Sequence, residues 1–260
     1  MKILVFADLH YYGDDMEGFH SERKLVQFAL PMLDELIKIA TREEVDLVVN
    51  LGDIIQDTSS KELDIESLAF MFRRLEEFPC PCYNLLGNHD LKRVDSAEEI
   101  RCLMGEEAAR YSIDIGGFHL VFLTTDVMPE LGTRRGGSYK TQNLSEKSLE
   151  RLKTDLKNNR LPCLLFTHFP LAEDKDVQDE CAYMKNRDAV KEILRSDPNI
   201  KAVFSGHQHA PKVLEEDGIT HYIVGSPTTC FTGNGIPIGV YRMIETDGEH
   251  ISITEHHIVL

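Results

Sequence analysis

Leu85-Leu86-Gly87-Asn88-His89-Asp90 is an apolar run that breaks at a glycine into three polar side chains. Pro81–Leu86 reads as a buried strand, and Gly87 lets the backbone turn sharply. Asn88, His89 and Asp90 then emerge at the strand's carboxyl end, where α/β sheets bind ligands. Other apolar runs finish alike: Ile3–Ala7 in Asp8 and His10, Val45–Leu51 in Gly52 and Asp53, Leu164–Thr167 in His168. Ala202–Ser205 ends in Gly206-His207-Gln208-His209. Five strand ends that release Asp, Asn or His predict one polynuclear metal site.

The intervening segments predict an α/β protein. Ser21 is placed to cap a helix whose apolar face is Leu25, Ala29, Met32–Leu33, Leu36 and Ala40, with Pro31 kinking it. Leu68, Phe72 and Leu75 mark a second helix, Val94–Met104 a third. Tyr111–Ile115, Gly116-Gly117 and Phe118–Thr124 read as a hairpin, so strand follows strand and a second sheet begins. Ser145 caps a helix with Leu149, Leu152 and Leu156 inward, and Asp188–Arg195 forms another, ending before Pro198. The tail is all β: His221–Val224, then Val240–Glu245 and His250–Glu255 around the turn Asp247-Gly248. Two helix-flanked mixed sheets packed on each other account for this order, within a single domain over residues 1–260.

At 42% hydrophobic residues the chain can bury a substantial core, which excludes a disordered protein. A net charge of −16 argues against nucleic acid or an anionic membrane as partner, because phosphate backbones are bound by basic faces. A small phosphorylated substrate remains compatible, since bound cations supply positive charge locally. Cys80, Cys82, Cys102, Cys163, Cys181 and Cys230 are scattered in mostly apolar contexts and read as reduced thiols. There is no signal-like apolar segment after Met1-Lys2 and no apolar run long enough to span a bilayer, so a cytoplasmic protein is expected.

The candidate ligands are Asp8, His10, Asp53, Asn88, His168, His207 and His209, all oxygen or nitrogen donors. Such donors suit Mn, Fe or Zn rather than thiolate-seeking metals. Seven are too many for one tetrahedral ion but suit two ions sharing a carboxylate. Two ions ~3.5–4 Å apart can hold a bridging hydroxide and clamp a phosphoryl group. His89 is then left free to act outside the metal shell, as a general acid or as a donor to the transition state.

Asp8-Leu9-His10, Gly52-Asp53, Gly87-Asn88-His89-Asp90, His168 and Gly206-His207-Gln208-His209, in that order over residues 1–210, resemble the calcineurin-like metallophosphoesterases. The resemblance implies an α/β/β/α sandwich holding two divalent or trivalent ions from Mn, Fe and Zn. It implies that Asp8, His10 and His209 hold one ion, that Asn88, His168 and His207 hold the other, and that Asp53 bridges them. His89 would approach the leaving oxygen. The family's protein phosphatases read Gly-Asp-x-x-Asp-Arg-Gly at the second block, whereas this chain has Gln56 at the second Asp and Asp57-Thr58 after it. That disfavours a protein phosphatase and leaves Asp57 and Asp90 as alternatives for orienting His89. The layout is closer to the cyclic-nucleotide and glycerophosphodiester phosphodiesterases, and similar to the manganese-dependent ADP-ribose/CDP-alcohol diphosphatases.

The expected activity is phosphodiester hydrolysis of a small nucleotide or glycerophosphodiester by a metal-bound hydroxide. Pyrophosphate or phosphomonoester hydrolysis is the enzymatic alternative, and a silent scaffold the non-enzymatic one. Arg93, three residues past Asp90, is a candidate substrate contact. Arg134, Arg135 and Lys140 read as a solvated loop, and His20, His119, His221, His250, His256 and His257 as structural or exposed. Tyr11 and Tyr12 either line the pocket or pack. Homo-oligomerisation stays open.

Overall fold

The period-2 alternation of the first strand sets the layering. In a computed structural model, β1 (Lys2–Phe6) turns Ile3 and Val5 to one side and Leu4 and Phe6 to the other, and all four are buried. The structure describes residues 1–13, 21, 23–93, 99, 103–105, 111–124, 143–248 and 250–260. A strand buried on both faces lies between two layers, and the sheet topology supplies them.

The first sheet has the order β11-β10-β1-β2-β3. β2 (Leu47–Asn50) and β3 (Cys82–Asn84) run parallel to β1, while β10 (Val240–Thr246) and β11 (Ile251–His257) add an antiparallel hairpin. The second sheet has the order β4-β5-β6-β7-β9-β8. Its parallel centre is β5 (Phe118–Leu123), β6 (Cys163–Thr167), β7 (Ile200–Ser205) and β9 (Ile219–Ile223). Antiparallel edges β4 (Ser112–Ile115) and β8 (Lys212–Glu216) close it.

Three apolar layers hold the sheets and helices together. Leu4, Phe6 and Val48 pack on α1 (Ala29–Arg42) and α2 (Lys61–Leu75) through Met32, Leu36, Leu68 and Phe72. Ile3, Val5, Val49 and Ile244 meet Leu120, Phe122, Phe166 and Phe204 between the sheets. Val121, Leu165 and Val203 pack on α4 (Glu146–Asn158) and α5 (Arg187–Arg195) through Leu152, Leu156, Val190 and Leu194. The result is the expected four-layer α/β/β/α sandwich with two mixed sheets. α3 (Asn88–Leu91) is a single turn leaving the end of β3.

Several local expectations change. α1 starts at Ala29 after a short 3-10 turn over Val26–Phe28, so Leu25 is buried but lies outside the helix. Pro31 is third in α1, in the first turn where backbone N–H groups have no intrahelical partner, so it need not kink the helix. Ser21 Oγ accepts from Lys24 N at 2.9 Å, capping a turn rather than α1. β3 covers only Cys82–Asn84 of the expected Pro81–Leu86. β8 was not expected, because three of its five residues (Lys212, Glu215 and Glu216) are charged, the composition that discourages edge pairing. Its link to β9 is Asp217-Gly218, with φ of 55° and 76°, a two-residue hairpin turn like the one sought at Asp247-Gly248. Most of Val94–Met104 and the loop Met128–Gln142, with Arg134, Arg135 and Lys140, lie outside the described residues, as does His20. Among the described residues no helix is long and apolar enough to cross a membrane.

A row of rings crosses the layer between the sheets. Tyr83 of β3 stacks on Phe122 (centroids 4.8 Å apart), which neighbours Phe166 (5.6 Å), then Phe204 (5.1 Å), then Tyr222 (5.2 Å). Phe166 is fully buried mid-row. Phe166→Ala is expected to lower unfolding free energy by about 3–5 kcal/mol in a urea titration, through lost burial plus the cavity left behind. A loss below about 1 kcal/mol would mean that this layer is not the core.

Candidate metal centre

The carboxyl ends of β1, β2, β3, β6 and β7 open at the same edge of the sandwich, and the chain leaves several of them in an uncommon conformation. Asp8, His10, Asp53, His207 and His209 have φ between 50° and 67°. Only two other described non-glycine residues, Glu44 and Asp217, share the left-handed region. Each such residue costs about 1–2 kcal/mol. Strain concentrated on candidate ligands points to a backbone fixed for what the side chains do.

Two donor groups result. Asp8, His10 and His209 form one: His10 Nε2 lies 2.9 Å from His209 Nε2, and Asp8 Oδ1 lies 3.9 and 3.7 Å from those nitrogens. Asp53, His168 and His207 form the other. There His168 Nε2 is 3.4 Å from Asp53 Oδ2 and 3.3 Å from Asn88 Oδ1. All seven residues named from the sequence therefore meet. Asp53 also joins His10 and His89 in a third grouping, which places it between the other two.

The supporting contacts fix side-chain orientation. His168 Nδ1 is held by Leu51 O at 2.9 Å and His209 Nδ1 by Thr229 Oγ1 at 3.2 Å, which turns each Nε2 inward. His207 N donates to Asp8 Oδ2 (2.9 Å) and His89 N to Asp53 Oδ1 (2.8 Å), tying strand end to strand end. Gly87 does not make a sharp left-handed turn; its φ is −98°. Its function is room: a Cβ there would collide with the Asp53 carboxylate and with His168 Cε1 at 2.6 Å.

The two carboxylates left open near His89 have separate duties. Asp90 accepts four backbone N–H groups, from Asp53 (2.7 Å), Ile54 (2.9 Å), Ile55 (3.2 Å) and Gly87 (2.8 Å). Asp57 Oδ1 lies 2.5 Å from His89 Nδ1, and its other oxygen is 2.5 Å from Lys92 Nζ. Gln56 Nε2 also reaches His89 Nδ1, at 3.1 Å. Asp57 thus orients His89, while Asp90 shapes the loop beneath it.

Burial dominates the electrostatics. It pushes the Asp8 carboxyl up to about 7 and holds His10 and His209 well below the usual imidazole value. It also brings His207 down to about 4. Burial alone would raise Asp53, but the imidazoles of His168 and His89 outweigh it and hold that carboxyl well below its ordinary range. His168, opposed by burial but facing Asp53, is raised to about 9.

A cation resolves these conflicts. Asp8 Oδ1 is buried with no hydrogen-bond partner among the described residues, and it faces the Nε2 atoms of His10 and His209. The donor set of carboxylate, amide oxygen and imidazole, without sulfur, fits divalent ions of the Mn, Fe and Zn type.

Other residues lie apart. Arg93 Nε donates to Thr58 O at 2.9 Å and lies 3.3 Å from Asp64, neither of them in the cluster. His119 is bound by Asp114 and Asp155 beneath α4, His221 is buried on β9, and His250, His256 and His257 are exposed. Tyr11 and Tyr12 line a cavity of about 490 Å³ with Thr58, Ser67 and Phe70. One participant was not named from the sequence: Lys24, whose Nζ is 3.2 Å from His89 Nε2 and 3.1 Å from Gln56 Oε1.

An α/β/β/α sandwich with a two-part His/Asp/Asn cluster at its strand exits is the frame of a phosphoester hydrolase. The chain belongs to the calcineurin-like phosphoesterases, whose family model matches residues 1–211. It is 26% identical over 276 aligned residues to the 3',5'-cyclic adenosine monophosphate phosphodiesterase CpdA of Escherichia coli K12, covering 99% of this chain and 89% of that one. It is 24% identical over 232 residues to a probable cyclic nucleotide phosphodiesterase of Xenorhabdus bovienii, covering 89% and 87%. A dimetal phosphatase from Danio rerio has the same fold, with a TM-score of 0.77 at 17% identity over 98% of this chain and 95% of that one.

Gly87→Ala tests the packing of the cluster without removing a donor. The added methyl displaces Asp53 and His168, and metal affinity measured by competition with a chelating dye is expected to fall about 10–100-fold. Unchanged affinity would show that the Asp53–Gly87–His168 contact does not govern the site.

Proposed function

We propose that this chain is a dinuclear metal-dependent phosphodiesterase acting on a small nucleotide or glycerophosphodiester, with cyclic nucleotides as the first substrates to test. The observation that carries the reading is Asp53, a buried carboxylate of the second donor group that also groups with His10 of the first, with His89 beside it. Asp8, His10 and His209 would hold one ion, and Asn88, His168 and His207 the other. Asp53 would serve both. Manganese, iron and zinc all accept these donors. The curated relatives that carry phosphodiesterase names support a diester over a monoester.

When bound, the ions supply positive charge to the phosphoryl oxygens and acidify water. The chain's own part is geometry and proton handling. Asp57 fixes the His89 ring at Nδ1, so that Nε2, 3.9 Å from Asp53 Oδ2, faces the departing ester oxygen and serves it as a proton donor. The acidic surface leaves recognition of the anionic substrate to this local positive charge, which suits a small ligand better than a polymer.

Asp53→Ala is expected to lose metal, measured by elemental analysis, and turnover together. His89→Ala is expected to keep its metal and turn over ~10²–10⁴-fold more slowly on an alkyl diester. Full activity of His89→Ala on that poor leaving group would refute the role given to it. Cyclic nucleotides, dinucleotides, glycerophosphodiesters and matched mono- and diesters of one leaving group, assayed with added manganese, test the substrate class. Faster hydrolysis of the monoester, or of a pyrophosphate, would replace this reading.

A further inference from the structure

Lys24 is an ammonium fixed beside His89 by contacts that come from the opposite end of the chain. Its backbone forms an isolated antiparallel bridge with Thr229. Leu25 N donates to Thr228 O at 3.0 Å, and Cys230 N donates to Arg23 O at 2.8 Å. The segment it is clamped to is itself part of the site frame. Thr229 Oγ1 holds His209 Nδ1, and Ser226 Oγ donates to Asp8 O at 2.8 Å. Ser21 Oγ, accepting from Lys24 N, closes the turn from the other side.

The side chain is aimed as firmly as the backbone is held. Nζ contacts Gln56 Oε1 and His89 Nε2, and among the described residues it meets no carboxylate at ion-pair distance. Lys92 on the same wall shows the ordinary alternative, with its ammonium on Asp57. An ammonium has three N–H donors. One of them goes to Gln56 Oε1; His89 Nε2, carrying the proton it gives the departing oxygen, accepts none, so donors and the positive charge remain for something else. Burial disfavours the Lys24 charge, and the carboxylates of Asp53, Asp8 and Asp57 support it only from beyond ion-pair distance. Cations bound by those same carboxylates would weaken that support, and an anion seated between them and Lys24 would restore it.

We infer that Lys24 contacts the phosphoryl substrate on its leaving-group side, where its ammonium stabilises the charge that grows on the departing oxygen. This rests on the phosphodiesterase reading above. In the hydrolysis, a water oxygen bonds to phosphorus and the P–O ester bond breaks, its electron pair passing to the departing oxygen. That oxygen takes up a proton, one water is consumed, and Lys24 transfers none. The contact is electrostatic and becomes stronger as the ester oxygen becomes anionic, which is the condition for a rate effect.

The test compares Lys24→Gln and Lys24→Arg with the unaltered chain, all loaded with manganese, on aryl and alkyl diesters of graded leaving-group pKa. Lys24→Gln is expected to lose ~10²–10³-fold in kcat on the alkyl diester and only a few-fold on the nitrophenyl diester. Lys24→Arg is expected to restore most of the loss, and metal content to stay at the parental level in both. Inorganic phosphate binding to the loaded protein, followed by calorimetry, is expected to weaken about 10-fold in Lys24→Gln and to recover in Lys24→Arg. A uniform slowing across all leaving groups with unchanged phosphate binding would make Lys24 a strut for Gln56 and His89 and overturn the contact. If the unaltered chain cleaves no diester, the phosphodiesterase reading fails by itself, and the phosphate arm still decides whether Lys24 faces the anion.

Discussion

The structure depends on one buried carboxylate that belongs to no donor group. Asp90 gathers the backbone N–H groups of Asp53, Ile54, Ile55 and Gly87, and so ties the end of β2 to the end of β3. Burial, together with the nearby Asp53 charge, pushes its carboxyl up to about 7 against the pull of those N–H bonds. Without Asp90 four buried donors would be unpaired, a cost larger than the net value of the bonds themselves. With it, Asp53 is held in left-handed backbone at the point where two sets of donors overlap.

That arrangement explains why the sandwich and the site are inseparable. Parallel strands from both sheets end at one edge, so donors far apart in sequence arrive side by side. The central apolar layer, with its row of rings from Tyr83 to Tyr222, fixes the distance between the sheets. That distance in turn sets how His168 and His207 on one sheet face Asp53 and Asn88 on the other. Gly87 and Gly206 lie at the closest approaches, where a Cβ would enter the Asp53 and Asp8 carboxylates respectively.

Much of this was legible in the sequence because the signal repeats. Each apolar run ends in Asp, Asn or His, and strand geometry turns that repetition into convergence. What was not legible depended on contacts the pattern does not encode. Asp57 and Asp90 are both near His89 in the chain, and only the loop path gives the first the imidazole and the second the backbone. Lys24 sits in a polar turn with no motif around it, and it reaches the site through pairing with Thr229. The start of α1 was obscured because Leu25 is buried by packing rather than by helical position. β8 was obscured because edge strands carry charge where central strands carry apolar residues.

The central claim is that seven donors from five strand ends surround a pair of cations centred on Asp53. Anomalous diffraction from manganese-loaded crystals tests it directly. The account predicts two peaks ~3.5–4 Å apart on either side of the Asp53 carboxylate. One peak alone, or a pair away from Asp53, would contradict it.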